Sequence, residues 1–249
     1  SGNHGQAVAL AASPLDGRAV IVMPTTEAAV KVAGVKRWGA EVIQEGTRSI
    51  ERRTGAETEA GARGLTMVPP FDHEWIIEGQ GTCGLEILEQ VPDTAVVVAP
   101  VGGGGLVSGV AAAVKLARPD VRVVGVEPAG AAKMSESLKA GHPITLPRTE
   151  TIADGLMPVR PGDLTFEHVK AFVGCVVTVD DAAIARAALW LFHEAKQVIE
   201  PSGAATVAAV LWPDGNGPHA DRSKKVVAIL SGGNVAPETL AELSRSWSI

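Results

Sequence analysis

Three glycine-rich stretches carry the residue types best suited to holding a ligand. The first is Gly102-Gly103-Gly104-Gly105, which follows the apolar run at 95–99 and precedes an Ala- and Val-rich stretch. Without side chains, such a loop brings backbone N–H groups close to a bound group. A helix that starts there adds partial positive charge. Together they make a cradle for a phosphate dianion. Two glycines would suffice for a plain strand-to-helix turn, the competing reading. The second stretch is Ser231-Gly232-Gly233-Asn234, after the apolar run at 225–230. A serine at a strand end can donate to or accept from a ring nitrogen, although Ser-Gly-Gly is also ordinary turn chemistry. The third is SGNHGQ at positions 1–6. Its donors Ser1, Asn3 and His4, ahead of an Ala-rich helix at 6–12, suit a carboxylate. The alternative is a simple N-cap with His4 on the surface.

The spacing of the glycines narrows the ligand. A dinucleotide fingerprint needs a third glycine where Val107 or Ser108 stands. Only Glu127, at the end of the next strand, matches the ribose-binding acid of that pattern. No Gly-Lys-Ser/Thr follows the loop, which excludes a Walker site. A small ligand with one phosphate fits best.

The elements that must position these loops read as strands alternating with helices. Residues 19–23 are predicted as a strand stopped by Pro24, with Thr26 capping a helix over 28–37. Gly39 ends that helix and 40–44 forms the next strand. A stronger unit follows: strand 95–99, glycine loop, helix 107–117, strand 121–126. Further on come strand 174–179, helix 181–196, helix 202–211 and strand 225–230. Residues 45–67 are predicted to be helical. The run Val68-Pro69-Pro70-Phe71-Asp72 reads as a crossing between lobes. This alternation predicts an α/β protein of two lobes, with open, twisted, mainly parallel sheets flanked by helices. The lobes are expected at 1–70 and 71–249.

Composition excludes several classes. The chain has 249 residues, 46% hydrophobic, enough for a sizeable core. A net charge of -6, with no basic run longer than Lys224 and Lys225, argues against a nucleic-acid partner. The apolar runs are far shorter than the roughly 20 residues a membrane helix needs. The two cysteines, Cys83 and Cys175, have no metal-ligand spacing and suit a reducing cytosol. A cytoplasmic location is expected.

Taken together, the motifs resemble the fold-type II pyridoxal-phosphate enzymes, whose fold is that of the tryptophan synthase β subunit. The resemblance is to the branch of serine/threonine dehydratases (threonine ammonia-lyases) and serine racemases. It rests on SGNHGQ at 1–6, IIEGQGT at 76–82, PVGGGGL at 100–106, VEP at 126–128, TIADG at 151–155, IEPSGA at 199–204 and LSGGNV at 230–235. The resemblance implies pyridoxal 5'-phosphate as cofactor, a small amino-acid substrate and a homodimer. Gly102, Gly103, Gly104, Gly105 and Leu106 would bind the cofactor phosphate. Asn3 would hydrogen-bond the phenolic oxygen of the cofactor, and Ser231 would face its ring nitrogen. Gly2, Asn3 and His4, with Ser1, would contact the substrate. Ser1 matches the serine that faces the substrate α-carbon opposite the Schiff-base lysine. That lysine lies upstream of SGNHGQ in the family, so Ser1 is not expected to be the natural start. Of the lysines present, Lys196 alone invites a check, and it reads as a surface residue.

The implied activity is β-elimination from L-threonine or L-serine, giving a 2-oxo acid and ammonia. Phe71 is the residue commonly found in dehydratases at its place and favours that activity over racemisation. A serine racemase, a non-catalytic relative and a nucleotide-binding protein are the alternatives. Two positions depart from the pattern. Relatives bind a cation through a glutamate, a carbonyl and an acid. Glu127 and Ala131 match the first two places, but Lys133 stands where the acid belongs. Lys133 is therefore expected to supply the positive charge and pair with Glu127. Glu78 replaces a small residue and is expected to be solvent-exposed.

Overall fold

The computed structural model describes residues 2–47, 49–212 and 224–247. The chain divides into two compact units, Ser1–Pro70 and Phe71–Ile249.

The first unit runs α1 (Gly2–Ala12), β1 (Val20–Met23), α2 (Ala29–Arg37), β2 (Glu41–Gln44) and α3 (Ser49–Arg63). The two strands pair in parallel, Val20 with Glu41 through Met23 with Gln44. Ala9, Ile21, Met23, Val35 and Ala40 form the core. Gly5 lets α1 lie directly on β1, since a Cβ there would sit 2.7 Å from a methyl of Ile21. The expected helix at 28–37 is present, but Thr26 does not cap it. Thr26 lies in a turn closed by Glu27 N–H donating to the Pro24 carbonyl, and the cap residue is Ala28.

The second unit runs α4 (Glu74–Gln90), β3 (Thr94–Pro100), α5 (Gly105–Ala117), β4 (Arg122–Pro128), α6 (Lys133–Ala140), α7 (Asp163–Phe172), β5 (Cys175–Val179), α8 (Asp181–His193), α9 (Pro201–Leu211), β6 (Lys225–Ala228) and α10 (Pro237–Ser246). Its strands form one parallel sheet in the order β5-β4-β3-β6. The sheet is buried on both faces, as parallel sheets with helical crossovers are. Along β3 the faces alternate with period two. Val96 and Val98 join Val124, Val126, Ile184, Leu189 and Ala205 on one face. Val97 and Ala99 join Val123, Val107, Val110 and Phe166 on the other. Parallel strands send all their C-terminal ends to one edge of the sheet, so the segments after β3, β4 and β6 lie along that edge. Among the described residues, no helix is long and apolar enough to cross a membrane.

The predicted strands and the α/β class are all present. Four helices of this unit, α4, α6, α7 and α10, lie where no helix was predicted. Two predicted helices have different ends. The helix predicted at 107–117 begins at Gly105, and the one predicted to reach 196 stops at His193. Lys196 lies past that end with φ +56°, its exposed ammonium donating to the His193 carbonyl.

Candidate cofactor and substrate site

The chain leaves the buried end of β3 at Pro100 and enters the glycine run. Gly104 takes φ +102°, in the left-handed region, and caps α5. Only glycine adopts this backbone without strain. The loop is held by three residues. Phe71 lies flat on it, so that a Cβ on Gly103 would stand 2.3–2.4 Å from three of its ring atoms. The Thr165 hydroxyl donates to the Gly103 carbonyl at 2.7 Å, and Gly162 N–H donates to the same oxygen at 3.2 Å. The carbonyl of Thr165 in turn accepts from the Ser108 hydroxyl on α5. Asp72 fixes Thr165 in place. Its carboxylate accepts from the backbone N–H groups of Asp163, Leu164 and Thr165, capping α7.

These contacts occupy the carbonyl side of the loop. Among the described residues, the backbone N–H groups of Gly102 through Val107 have no acceptor. Buried amides are seldom left unpaired, and Gly103, Gly104, Gly105 and Val107 are buried. Consecutive free donors at a helix N-terminus form a site for an anion. The residues present therefore fit a phosphate group.

Ser231 is exposed beyond the end of β6, the strand beside β3. Val98 pairs with Ala228, so Ser231 stands three residues past the pair on one strand and Val101 three past it on the other. The segment after Ser231 is anchored to α9: Gly232 accepts from Glu200 N–H, and Gly203 approaches it too closely to tolerate a Cβ. Gly155 N–H donates to the Ser202 hydroxyl, tying the TIADG segment to the same helix.

Beyond β4, Glu127 and Lys133 are completely buried. The Lys133 ammonium lies 3.1 Å from Glu127 Oε1 and donates to the carbonyls of Val101, Ala131 and Leu156 at 2.8, 3.0 and 3.0 Å. Burial pulls its pKa below the ordinary lysine value, and the Glu127 carboxylate acts in the opposite direction. The Glu127 oxygens also accept from Met134 N–H, Ser135 N–H and the Ser135 hydroxyl at the start of α6. Among the described residues, no group of three or more His, Cys, Asp or Glu gathers to hold a metal.

The residues of SGNHGQ belong to the first unit, and Ser1 lies outside the described residues. From Gly2 onward the segment is helical, where a loop ahead of a helix at 6–12 was predicted. Gly2 packs on the stem of buried Lys31, with no room for a Cβ. The His4 ring does not lie free on the surface: its Nε2 meets the Val68 carbonyl at 2.9 Å. Burial lowers the His4 pKa more than that hydrogen bond raises it. A neutral ring with hydrogen on Nε2 satisfies the contact. Asn3 is half-buried, and Glu78 is exposed on α4. The sequence pattern did not single out Thr165, Asp72 or the carbonyls of Val101 and Leu156. Only Asp72 had a local signal, in the run that precedes α4.

A parallel sheet with a donor-lined cradle past an inner strand suits a compact, phosphate-bearing ligand. The chain belongs to the family of pyridoxal-phosphate dependent enzymes, whose profile matches residues 1–232. It is 43% identical to the L-threonine ammonia-lyase of Thermotoga maritima over 94% of this chain and 57% of that one. To the biosynthetic L-threonine dehydratase of Escherichia coli it is 40% identical, over 94% of this chain and 45% of the other. The chain thus spans about half the length of these curated relatives. Among solved structures, maize serine racemase superposes with a TM-score of 0.91 at 40% identity, covering 98% of this chain and 74% of that one.

Proposed function

We propose that this chain belongs to a pyridoxal-phosphate-dependent lyase that converts L-threonine or L-serine to a 2-oxo acid and ammonia. The observation that carries the reading is the row of backbone N–H groups from Gly102 to Val107, buried for the most part and without an acceptor among the described residues. Pyridoxal phosphate, when bound, supplies an electron sink for charge developing at the α-carbon of an amino acid. The chain's own residues do the rest. The amides of Gly102 to Leu106 and the N-terminus of α5 hold the phosphate dianion. The Ser231 hydroxyl meets the ring nitrogen. As a neutral group it does not keep that nitrogen protonated as a carboxylate would, so the sink is mild and elimination is favoured over deeper carbanion chemistry.

In the first unit, the amides of Gly2, Asn3 and His4 hold the substrate carboxylate. Ser1 is the candidate proton carrier at the α-carbon. The reading includes a homodimer in the cytoplasm, which suits the two free cysteines.

A racemase is the second reading, favoured by the likeness to maize serine racemase. The test incubates the full-length protein and pyridoxal phosphate with L-threonine and, separately, L-serine. Ammonia and 2-oxo acid in equal amounts are the expected products. D-serine as the main product would replace the lyase by the racemase. Cofactor binding with no turnover of either substrate would overturn both and leave a non-catalytic relative.

A further inference from the structure

A divalent metal does not fit beside Glu127 in this chain, because an ammonium already fills the place. The Lys133 nitrogen is surrounded by four oxygens, three of them main-chain carbonyls and one a carboxylate, at 2.8–3.1 Å. Oxygen cages of this composition hold hard cations. Their usual radius is about 2.0–2.1 Å for magnesium and about 2.3–2.6 Å for calcium. The cage here is wider and matches N–H···O hydrogen bonds. Lys133 is fully buried, so bulk solvent does not screen the charge.

The four oxygens come from separate segments. Val101 is the residue just before the glycine loop. Ala131 closes the 3-10 turn after β4. Leu156 ends the 3-10 turn that begins within TIADG at Asp154, one residue past Gly155, which is bound to α9. Glu127 ends β4 and caps the first turn of α6. Main-chain carbonyls that converge in this way repel one another, and a cation at their centre is what holds them together.

We propose that Lys133 is a resident cation, which draws the Val101, Ala131 and Leu156 segments together and fixes the entry to the glycine loop without any metal ion. Two consequences follow from the geometry. The protein needs no added cation to hold its cofactor. Shortening Lys133 leaves a carbonyl-and-carboxylate cage wide enough for potassium, a singly charged ion like the ammonium it replaces. Lys133 touches neither cofactor nor substrate; it is a positioning residue, acting through the Val101 carbonyl. The inference does not depend on which amino acid is the substrate.

The test compares wild type with Lys133→Ala in the full-length protein. Melting temperature and pyridoxal phosphate affinity, by absorbance titration, are read with EDTA in potassium chloride or tetramethylammonium chloride of equal ionic strength. Wild type should give the same values in both salts, and EDTA followed by Mg²⁺ should not move them. In tetramethylammonium chloride, Lys133→Ala should melt roughly 10 °C lower, as expected for a buried charge left without its partner. It should also bind the cofactor about 10-fold more weakly, and potassium should restore both values saturably. A wild-type protein that loses stability to EDTA and regains it with Mg²⁺ overturns the proposal, as does a Lys133→Ala variant that melts like wild type or ignores potassium. Should Lys133→Ala not fold, the wild-type response to EDTA and Mg²⁺ decides alone. Absence of lyase activity would leave these readouts unaffected.

Discussion

The hydroxyl of Thr165 donates to the carbonyl oxygen of Gly103 at 2.7 Å, 62 residues away in sequence. This bond ties the first turn of α7 to the centre of the glycine loop. It also engages the Gly103 carbonyl, while the N–H groups of the loop keep no acceptor among the described residues. The same first turn is capped by Asp72, next to the Phe71 ring that covers the loop. Adjacent residues of one short segment therefore hold the loop from above and position the helix that holds it from behind.

Thr165→Val keeps the shape and removes the donor. Gly103 then retains one donor, Gly162 N–H at 3.2 Å. A single hydrogen bond of this kind contributes about 1 kcal/mol. The expected result is a fall in melting temperature of about 3 °C and weaker binding of pyridoxal phosphate, with phosphate-free pyridoxal unaffected. Thermal melting and cofactor titration check it. Equal losses for both cofactor forms would mean that Thr165 supports the unit generally and not the phosphate loop.

Gly103→Ala places a methyl group 2.3–2.4 Å from Cγ and the two Cδ atoms of the Phe71 ring. Overpacking of this kind typically costs about 1–3 kcal/mol. Phe71→Ala alone should also destabilise, by loss of packing. The two changes together should cost less than their sum, because the truncated side chain leaves room for the new methyl. A double-mutant cycle by denaturant unfolding measures the coupling. Additive losses would show that the ring and the loop do not constrain each other.

The parallel α/β architecture was legible because the strands of the second unit are buried on both faces and read as apolar runs. The run at 95–99 gained one residue at each end to become β3, and the run at 121–126 lost its first residue and gained two at its end to become β4. The glycine loop was legible because four consecutive glycines have few other uses. Helix α4 was not, since Gly79, Gly81 and Gly84 each lower helix propensity. Its helical state comes from tertiary packing. A Cβ on Gly84 would stand 2.8 Å from the Val110 carbonyl, and one on Gly109 would stand 2.2 Å from the Ile77 carbonyl. The glycines let α4 and α5 pack backbone to backbone, which no local pattern states. The same holds for Gly2 and Gly5 in α1, read as loop residues for their composition and found packed against Lys31 and Ile21. Thr165 was invisible for a different reason: its role depends on a contact with a residue far away in the chain.

His4 makes the acid side of the stability curve a test of the first unit. Burial holds its folded pKa below the unfolded value, with the Val68 hydrogen bond opposing the shift in part. The folded state therefore binds this proton less readily than the unfolded chain does. The contribution of the neutral ring is fully present above the unfolded pKa, about 6.5. It is lost progressively as pH falls from there through the lower folded value. His4→Gln keeps an N–H donor within reach of the Val68 carbonyl and cannot take up a proton in this range. Wild type should lose melting temperature between pH 8 and pH 5, about the range in which histidine changes charge. His4→Gln should lose less over the same interval and match wild type most closely at the alkaline end. Parallel curves for the two proteins would mean that His4 is as accessible to protons folded as unfolded, and that the contact with Val68 does not hold it away from water.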